Sequence, residues 1–283
     1  MSEWFFEKAC AKINLALHVL GRGHDGYHQL DSVVAFADIA DHIKLREAHS
    51  TSLTITGPFA AYVPAIQDNI IFKALHIARK LCGVQNKSIP QLEIQLEKNL
   101  PIAAGIGGGS ADAAAFLRAL YRLLEITITP EQNRSLATSL GADVPVCFLQ
   151  KSVRMQGIGE IISELTINLP AAIVLINPNL PSSTQAVFQK LGLVKGENYR
   201  NAIDIENPPD WRNDLTEAAI AVAPAITDVL AALKAEPSFT AVRMSGSGAT
   251  CFGLVTNRAT ANAAAARLSV RNPNWWVKAA SLL

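Results

Sequence analysis

Polar and apolar residues alternate, or β-branched residues cluster, over Ala9–Leu20, Leu30–Ala37, His42–Glu47, Ser52–Thr56 and Gln91–Lys98. A period of two sends alternate side chains to opposite faces, so each of these segments predicts a strand. Helical spacing of apolar residues takes over in Ile70–Leu81, Ala111–Leu124 and Glu131–Leu140. Thr129-Pro130 opens the last of these with a capping hydroxyl and a first-turn proline. The chain changes character after Glu160. Ala171–Asn177 predicts a buried strand, Asn213–Ala223 and Pro224–Ala235 paired helices, Phe239–Ser245 and Thr250–Val255 strands, and Ala259–Ser269 a final helix. Strands outnumber the helices between them in the first part, which argues against a doubly wound parallel sheet and predicts an α+β fold. A chain of 283 residues is long for one simple core and suits two lobes, divided near residue 160 into 1–160 and 161–283.

The strand at Gln91–Lys98 leads into Pro101-Ile-Ala-Ala-Gly-Ile-Gly-Gly-Gly-Ser-Ala-Asp112 and then into an alanine-rich helix. Four glycines within five positions let backbone N–H groups turn toward a ligand, and the helix start adds unpaired N–H groups and a positive dipole end. Such a loop favours an anion, and phosphate is the usual guest. It is not a P-loop, because Ser110 follows Gly109 with no lysine between them. It is not a dinucleotide fingerprint either, because position 110 is not glycine and Glu125 closes a helix instead of ending a second strand. A glycine-rich turn with no ligand is the bland alternative.

Composition narrows the partners. With 25 basic and 24 acidic residues the net charge is +1, so no global field draws nucleic acid or a membrane surface. No run approaches the roughly 20 apolar residues of a membrane span, and the acidic residues of Met1–Lys8 do not fit a signal peptide. Cys10, Cys82, Cys147 and Cys251 lie far apart without metal spacing and read as reduced thiols. A cytoplasmic protein acting on small molecules, monomeric or weakly dimeric, is expected.

The segment Pro101–Ala111 resembles the phosphate-binding loop of the GHMP kinase family. Ala11-Lys12-Ile13-Asn14-Leu15 resembles the family's first motif, and Met244-Ser-Gly-Ser-Gly-Ala-Thr-Cys-Phe252 its third. The resemblance covers nearly the whole chain, and the segment Val194–Asp210 contains no motif. It implies a two-lobed fold, with an N-terminal ribosomal-protein-S5-domain-2-like lobe that binds ATP and a C-terminal ferredoxin-like α/β sandwich lobe. It also implies ATP with Mg²⁺ as the phosphoryl donor. By the same resemblance Pro101, Ile102, Ala103, Ala104, Gly105, Ile106, Gly107, Gly108, Gly109, Ser110 and Ala111 cradle the nucleotide phosphates, and Asn69 and Lys98 contact the nucleotide. Ser110 reads equally as an N-cap or as a contact to Mg²⁺ or phosphate. Lys98 otherwise reads as an exposed strand-end charge. The third motif supplies Ser245, Gly246, Ser247 and Gly248.

Asp143 sits in Leu140-Gly-Ala-Asp-Val-Pro-Val146, where a helix is expected to end and a strand to begin. Alone it reads as a solvated turn residue; the resemblance makes it the catalytic carboxylate. Lys12, alone the wet side of a strand, becomes the catalytic cation, and Asn14 shares its strand face. Gly21-Arg-Gly-His-Asp-Gly-Tyr-His-Gln-Leu30 reads as a hairpin, with loop spacing unsuited to a metal site with His18. Within the family it resembles the segment of enzymes whose acceptor is a cytidine-diphosphate sugar alcohol. Tyr27 would then stack on the base and His28 bond its polar edge, as flat bases are commonly read. Thr184 and Phe188 match the same pocket, although Phe188 also reads as plain helix core. Two further readings compete: another small-molecule kinase of the family, of homoserine or mevalonate type, and a catalytically silent ligand sensor. Acceptors of the homoserine or mevalonate type have no base for Tyr27 and His28 to engage. A silent sensor would be expected to have lost Lys12 or Asp143.

Overall fold

The structure, a computed structural model, describes residues 3–63, 68–84, 88–127, 129, 131, 135, 138–208 and 211–283. Ten strands and seven helices are ordered along these residues as β1 (Phe5–Arg22), β2 (His28–Glu47), β3 (Ser52–Thr56), α1 (Ile70–Val84), β4 (Leu92–Glu97), α2 (Gly108–Leu123), α3 (Val144–Leu149), β5 (Val153–Gly157), β6 (Ile161–Glu164), β7 (Ala172–Asn177), α4 (Thr184–Leu191), α5 (Thr216–Val222), α6 (Ala225–Lys234), β8 (Ala241–Met244), β9 (Cys251–Val255), α7 (Arg258–Arg271) and β10 (Trp276–Ser281). Of the helix expected over Glu131–Leu140, Glu131, Ser135 and residues 138–140 are helical and the rest lie outside the described residues. No helix among them is long and apolar enough to cross a membrane.

The chain forms two compact units that are each discontinuous in sequence. One comprises Met1–Ala11, Ile39–Ile102 and Gly107–Leu149; the other comprises Lys12–Asp38, Ala103–Ile106 and Gln150–Leu283. In the first unit the end of β2 pairs antiparallel with β4, and β3 joins the far side of β4 in parallel. Helix α2 packs against α1 and α3, with Ala111 through Leu117 all buried. In the second unit the start of β2 pairs with β5, which pairs with β6. A separate antiparallel sheet has the order β10-β7-β9-β8. Helix α7 packs on β10 and β7 and α6 on β8 and β9, so every side chain of β7 is buried, as its unbroken apolar run predicts. Helices and antiparallel sheets in both units make the α+β class an observed fact.

Two local readings need correction. The predicted strands Leu30–Ala37 and His42–Glu47 are one strand, β2. Asp38 and Asp41 look like a break, but both have partners. Asp38 accepts from Arg258 and from the Ser281 N–H, and Asp41 is fully buried among donors described below. The stretch after Asp143 is helix α3 instead of a strand. Pro145 stands in the first turn, where its missing N–H costs nothing, and the Cys147 N–H donates to Asp143 O at 3.0 Å. The other end of α3 is capped from outside, because the Arg118 guanidinium of α2 donates to the carbonyl of Cys147 at 3.0 Å and to that of Phe148 at 3.4 Å. β5, β6 and β10, for which the sequence reading contains no expectation, complete the two sheets. Cys10, Cys147 and Cys251 are buried free thiols, and the side chain of Cys82 lies outside the described residues.

Candidate active site

The glycine loop is shaped by two different demands. Gly105 (φ +74°) and Gly107 (φ +66°) occupy the left-handed region that favours glycine. A Cβ on Gly105 would stand 2.4 Å from Ser245 O and 2.7 Å from Gly248 N. A Cβ on Gly246 would likewise stand 2.6 Å from Gly105 O. In the second unit the loop and the third motif therefore lie backbone against backbone. Ser245 fastens them, its hydroxyl donating to Gly105 O at 2.9 Å while accepting from the Asn14 N–H at 3.0 Å. Asn213, a position with no motif signal, donates from Nδ2 to the carbonyls of Met244 and Gly246, both at 2.8 Å. Gly109 is the opposite case: it is exposed, and a Cβ there would meet nothing within 4 Å. Here the loop has the room expected of a ligand cradle.

Gly107 is the N-cap of α2 and provides no side-chain cap, which leaves the first-turn N–H groups available to an anion. Ser110 is therefore the third residue of the helix and not its N-cap. Beneath this turn Lys98 is buried, only 2% exposed, in place of the surface charge suggested by its position at the end of β4. Its Nζ donates to Asp41 Oδ2 and, at 2.6 Å, to Asp112 Oδ2. Asp41 Oδ1 accepts the N–H groups of Asn99 at 2.5 Å and Leu100 at 2.8 Å. The pair of carboxylates thus holds the segment entering the loop and the helix leaving it. Burial pushes the Asp112 carboxyl up to about 8; Lys98 opposes that shift and the charge of Asp41 adds to it. Two carboxylates sharing one ammonium in the interior thus favour a proton on Asp112. Burial pulls Lys98 down, but the two aspartates outweigh it and raise its affinity for the proton. The signal for Asp112 was present in the sequence as an acidic residue on the buried face of a helix.

Asn69 caps α1, its Oδ1 accepting from the Ile71 N–H at 3.0 Å. Asp143 is half-buried directly before α3. In the second unit Lys12 is buried in β1; its Nζ donates to Asn14 Oδ1 at 2.9 Å and its backbone N–H donates to Ile106 O at 2.9 Å. Asn14 passes the chain on to Ser32 Oγ at 2.7 Å. The shared strand face expected for Lys12 and Asn14 is thus an actual hydrogen-bonded array.

The hairpin after β1 turns through Gly23-His24-Asp25-Gly26, closed by the Gly23 N–H donating to Tyr27 O at 2.8 Å. Tyr27 is 62% exposed, unusual for so large an aromatic side chain. His28 lies against Phe188 with ring centroids 4.5 Å apart, and its Nε2 is buried without a hydrogen-bond partner. Phe188 also packs on the core, as its reading as plain helix core expects. Burial, and then the charge of Arg22, lowers His28 below its ordinary value of 6.5, so the ring is neutral at pH 7. Thr184 Oγ1 and Ser247 Oγ share a hydrogen bond of 2.8 Å, which joins α4 to the third motif. Helix α4 itself is started by Ser183, whose hydroxyl accepts from the Ala186 N–H.

Residues 69–151 match the family model for the GHMP kinases N terminal domain, and residues 199–273 that for the GHMP kinases C terminal. A 4-diphosphocytidyl-2-C-methyl-D-erythritol kinase of Paramagnetospirillum magneticum is 43% identical over 99% of this chain and 99% of its own length. One of Cereibacter sphaeroides is 45% identical, covering 97% of this chain and 98% of its own. The crystal structure of a 4-(cytidine 5'-diphospho)-2C-methyl-D-erythritol kinase superposes with a TM-score of 0.80 at 30% identity over 98% of both chains. A homoserine kinase from Cytophaga hutchinsonii shares the fold with a TM-score of 0.68 at 17% identity, covering 99% of this chain and 94% of its own.

The two kinds of glycine separate experimentally. Gly105→Ala should lower unfolding stability by about 1–3 kcal/mol, from the left-handed φ and the backbone clash, whereas Gly109→Ala should unfold within about 0.5 kcal/mol of the parent. Equal thermal and urea transitions for the two variants would overturn this distinction. Lys98→Met, which leaves a carboxylate buried without its cation, should cost about 3–5 kcal/mol in urea denaturation. A loss under about 1 kcal/mol would mean that Lys98 is the exposed charge its sequence position suggested.

Proposed function

Because this chain belongs to the GHMP kinase family, we propose that it is an ATP-dependent kinase of the non-mevalonate route to isoprenoid precursors, phosphorylating the 2-hydroxyl of 4-diphosphocytidyl-2-C-methyl-D-erythritol. The observation that carries the acceptor is exposed Tyr27 beside the His28–Phe188 ring pair, an aromatic face next to an unpaired polar edge. This suits a flat base and has no use for homoserine or mevalonate. Tyr27 stacks on the cytosine, His28 bonds its edge, Phe188 backs the ring, and Thr184 and Asn14 bind the remainder of the acceptor.

The backbone from Pro101 to Ala111 holds the ATP phosphates, with the first turn of α2 directed at them. Asn69 and the strand end at Lys98 border the nucleotide. The Lys98 ammonium is committed to Asp41 and Asp112, so its part is to fix the loop. Ser245, Gly246, Ser247 and Gly248 hold the loop from the other motif. In the reaction the acceptor oxygen bonds to the γ-phosphorus while the bond to the β–γ bridging oxygen breaks, and ADP leaves with that electron pair. The hydroxyl proton passes to Asp143, and Lys12 supplies positive charge at the acceptor oxygen.

Among the described residues no group of three or more His, Cys, Asp or Glu side chains could hold a metal. Mg²⁺ bound with ATP would keep much of its shell as phosphate oxygen and water and would take few protein ligands. Ser110, half-buried in the first turn of α2, is the side chain offered to it. The ion, when bound, neutralises charge on the phosphates.

Three measurements test this reading. In an ADP-release assay with ATP, turnover of the cytidine-diphosphate acceptor should far exceed that of homoserine or mevalonate; the reverse order would reject the assignment. Asp143→Asn should lower kcat by about 10²–10⁴-fold with both substrates still bound. Retention of more than half the activity would return Asp143 to the role of a turn residue. Because folding lowers the proton affinity of His28, its ring stays neutral above pH 6.5 and takes a charge only at lower pH. The protonated ring has no acceptor nitrogen for the base, so KM for the acceptor should be flat above that pH and rise on acidification below it. A His28→Gln variant that keeps the same acid limb would show that another group is responsible.

A further inference from the structure

Arg22 closes β1 at the foot of the Tyr27 hairpin and is half-buried. Its Nε donates to Gly26 O at 3.0 Å, and its Nη1 donates to Leu193 O at 2.9 Å. Gly26 immediately precedes Tyr27. Leu193 immediately follows Gly192, the residue that ends α4, and α4 carries Thr184 and Phe188. The backbone of Arg22 is engaged as well, its N–H donating to Glu197 O at 2.8 Å and its carbonyl accepting from the Gly196 N–H at 2.7 Å. One side chain therefore reaches from the turn that presents one aromatic ring to the end of the helix that presents another.

We propose that Arg22 is a positioning residue for the acceptor's base, its guanidinium fixing the Tyr27 turn against the end of α4. The inference rests on the acceptor pocket of the preceding section. Its physical basis is preorganisation. Tyr27 is exposed and Gly26 takes φ +94°, a flexible combination, so a free hairpin would have to be ordered at the expense of binding. The guanidinium opposes this because its donors are fixed in one plane and engage two carbonyls from different elements at once. A lysine ammonium is a single point on a flexible stem and cannot reproduce that fork.

The platform under Arg22 is rigid for an independent reason. A Cβ on Gly21 would stand 2.3 Å from Glu197 O, and Gly21 bridges antiparallel to Asn198. A Cβ on Gly196 would stand 2.7 Å from the His24 ring. The segment after α4 is thus laid directly on the end of β1, with Tyr199 N–H donating to Leu20 O at 2.7 Å. This is the stretch of chain in which the sequence carries no motif, and its contacts give it a use. The Arg22 charge also disfavours a proton on His28, which keeps the ring in its base-reading form.

The test is calorimetric titration of the full chain with cytidine 5'-diphosphate, and separately with ADP. The proteins compared are the parent, Tyr27→Ala, Arg22→Gln and Arg22→Lys. Both Arg22 variants should bind cytidine 5'-diphosphate about tenfold more weakly, as expected for loss of a charge-assisted hydrogen bond, with ADP binding unchanged. In turnover, KM for the acceptor should rise while KM for ATP and kcat at saturating acceptor stay within about twofold. Variants that bind cytidine 5'-diphosphate like the parent, while Tyr27→Ala loses it, would overturn the role of Arg22 and leave the base pocket standing. Equal weakening of both nucleotides with a lower Tm would reduce Arg22 to a general structural residue. A parent that fails to bind cytidine 5'-diphosphate, or a Tyr27→Ala variant that binds it normally, would overturn the pocket and this inference with it. Should Arg22→Gln fail to fold, Arg22→Lys, which keeps the charge, decides the question by the same comparison.

Discussion

The close approach of two backbones, at Gly105 and Gly246, is the constraint from which the second unit's polar array follows. Neither position admits a Cβ, and both hold φ angles that other residues resist. Because the two loops touch directly, the Ser245 hydroxyl can satisfy Gly105 O and the Asn14 N–H together. Ile106 O is left aligned to hold the Lys12 N–H. Lys12 is held in this way at its backbone and at its tip, where Asn14 Oδ1 accepts its ammonium. Rigid support of this kind, more than any single contact, is what positions a group for phosphoryl transfer.

The first unit meets a different difficulty, which is holding a cation in its interior close to a loop meant for anions. Taking Lys98 out of water is expensive, and two aspartates answer it. Burial and the neighbouring Asp41 charge push the Asp112 carboxyl upward, which lessens the negative charge beneath the first turn of α2. The favourable field for phosphate then comes from the backbone N–H groups and helix dipole, which are fixed and need no reorganisation.

The hairpin after β1 leaves aromatic surface uncovered. Tyr27 stands exposed and His28 keeps an unpaired ring nitrogen, and both arrangements are unfavourable in a free protein. The turn that precedes them is bound through its backbone and through Arg22, which leaves it little conformational freedom.

Much of this was legible in the chain. Alternation and helical spacing located most of the elements, because those periods come from local backbone geometry. The three ordered motifs identified the family, and Tyr27-His28 is the sequence feature on which the proposed acceptor rests. What the sequence left open depends on residues far apart along the chain. Lys98 reads as a surface charge until Asp41 arrives from β2, and Asp38 and Asp41 read as a strand break until Arg258 and Lys98 satisfy them. Val144–Leu149 reads as a strand until α2 supplies Arg118 to its last carbonyls. In each case the local pattern states what a residue prefers alone, and the tertiary structure supplies the partner that reverses the preference. Local periodicity therefore determined where most helices and strands lie, while long-range pairing alone decided which charges are buried and what they hold in place.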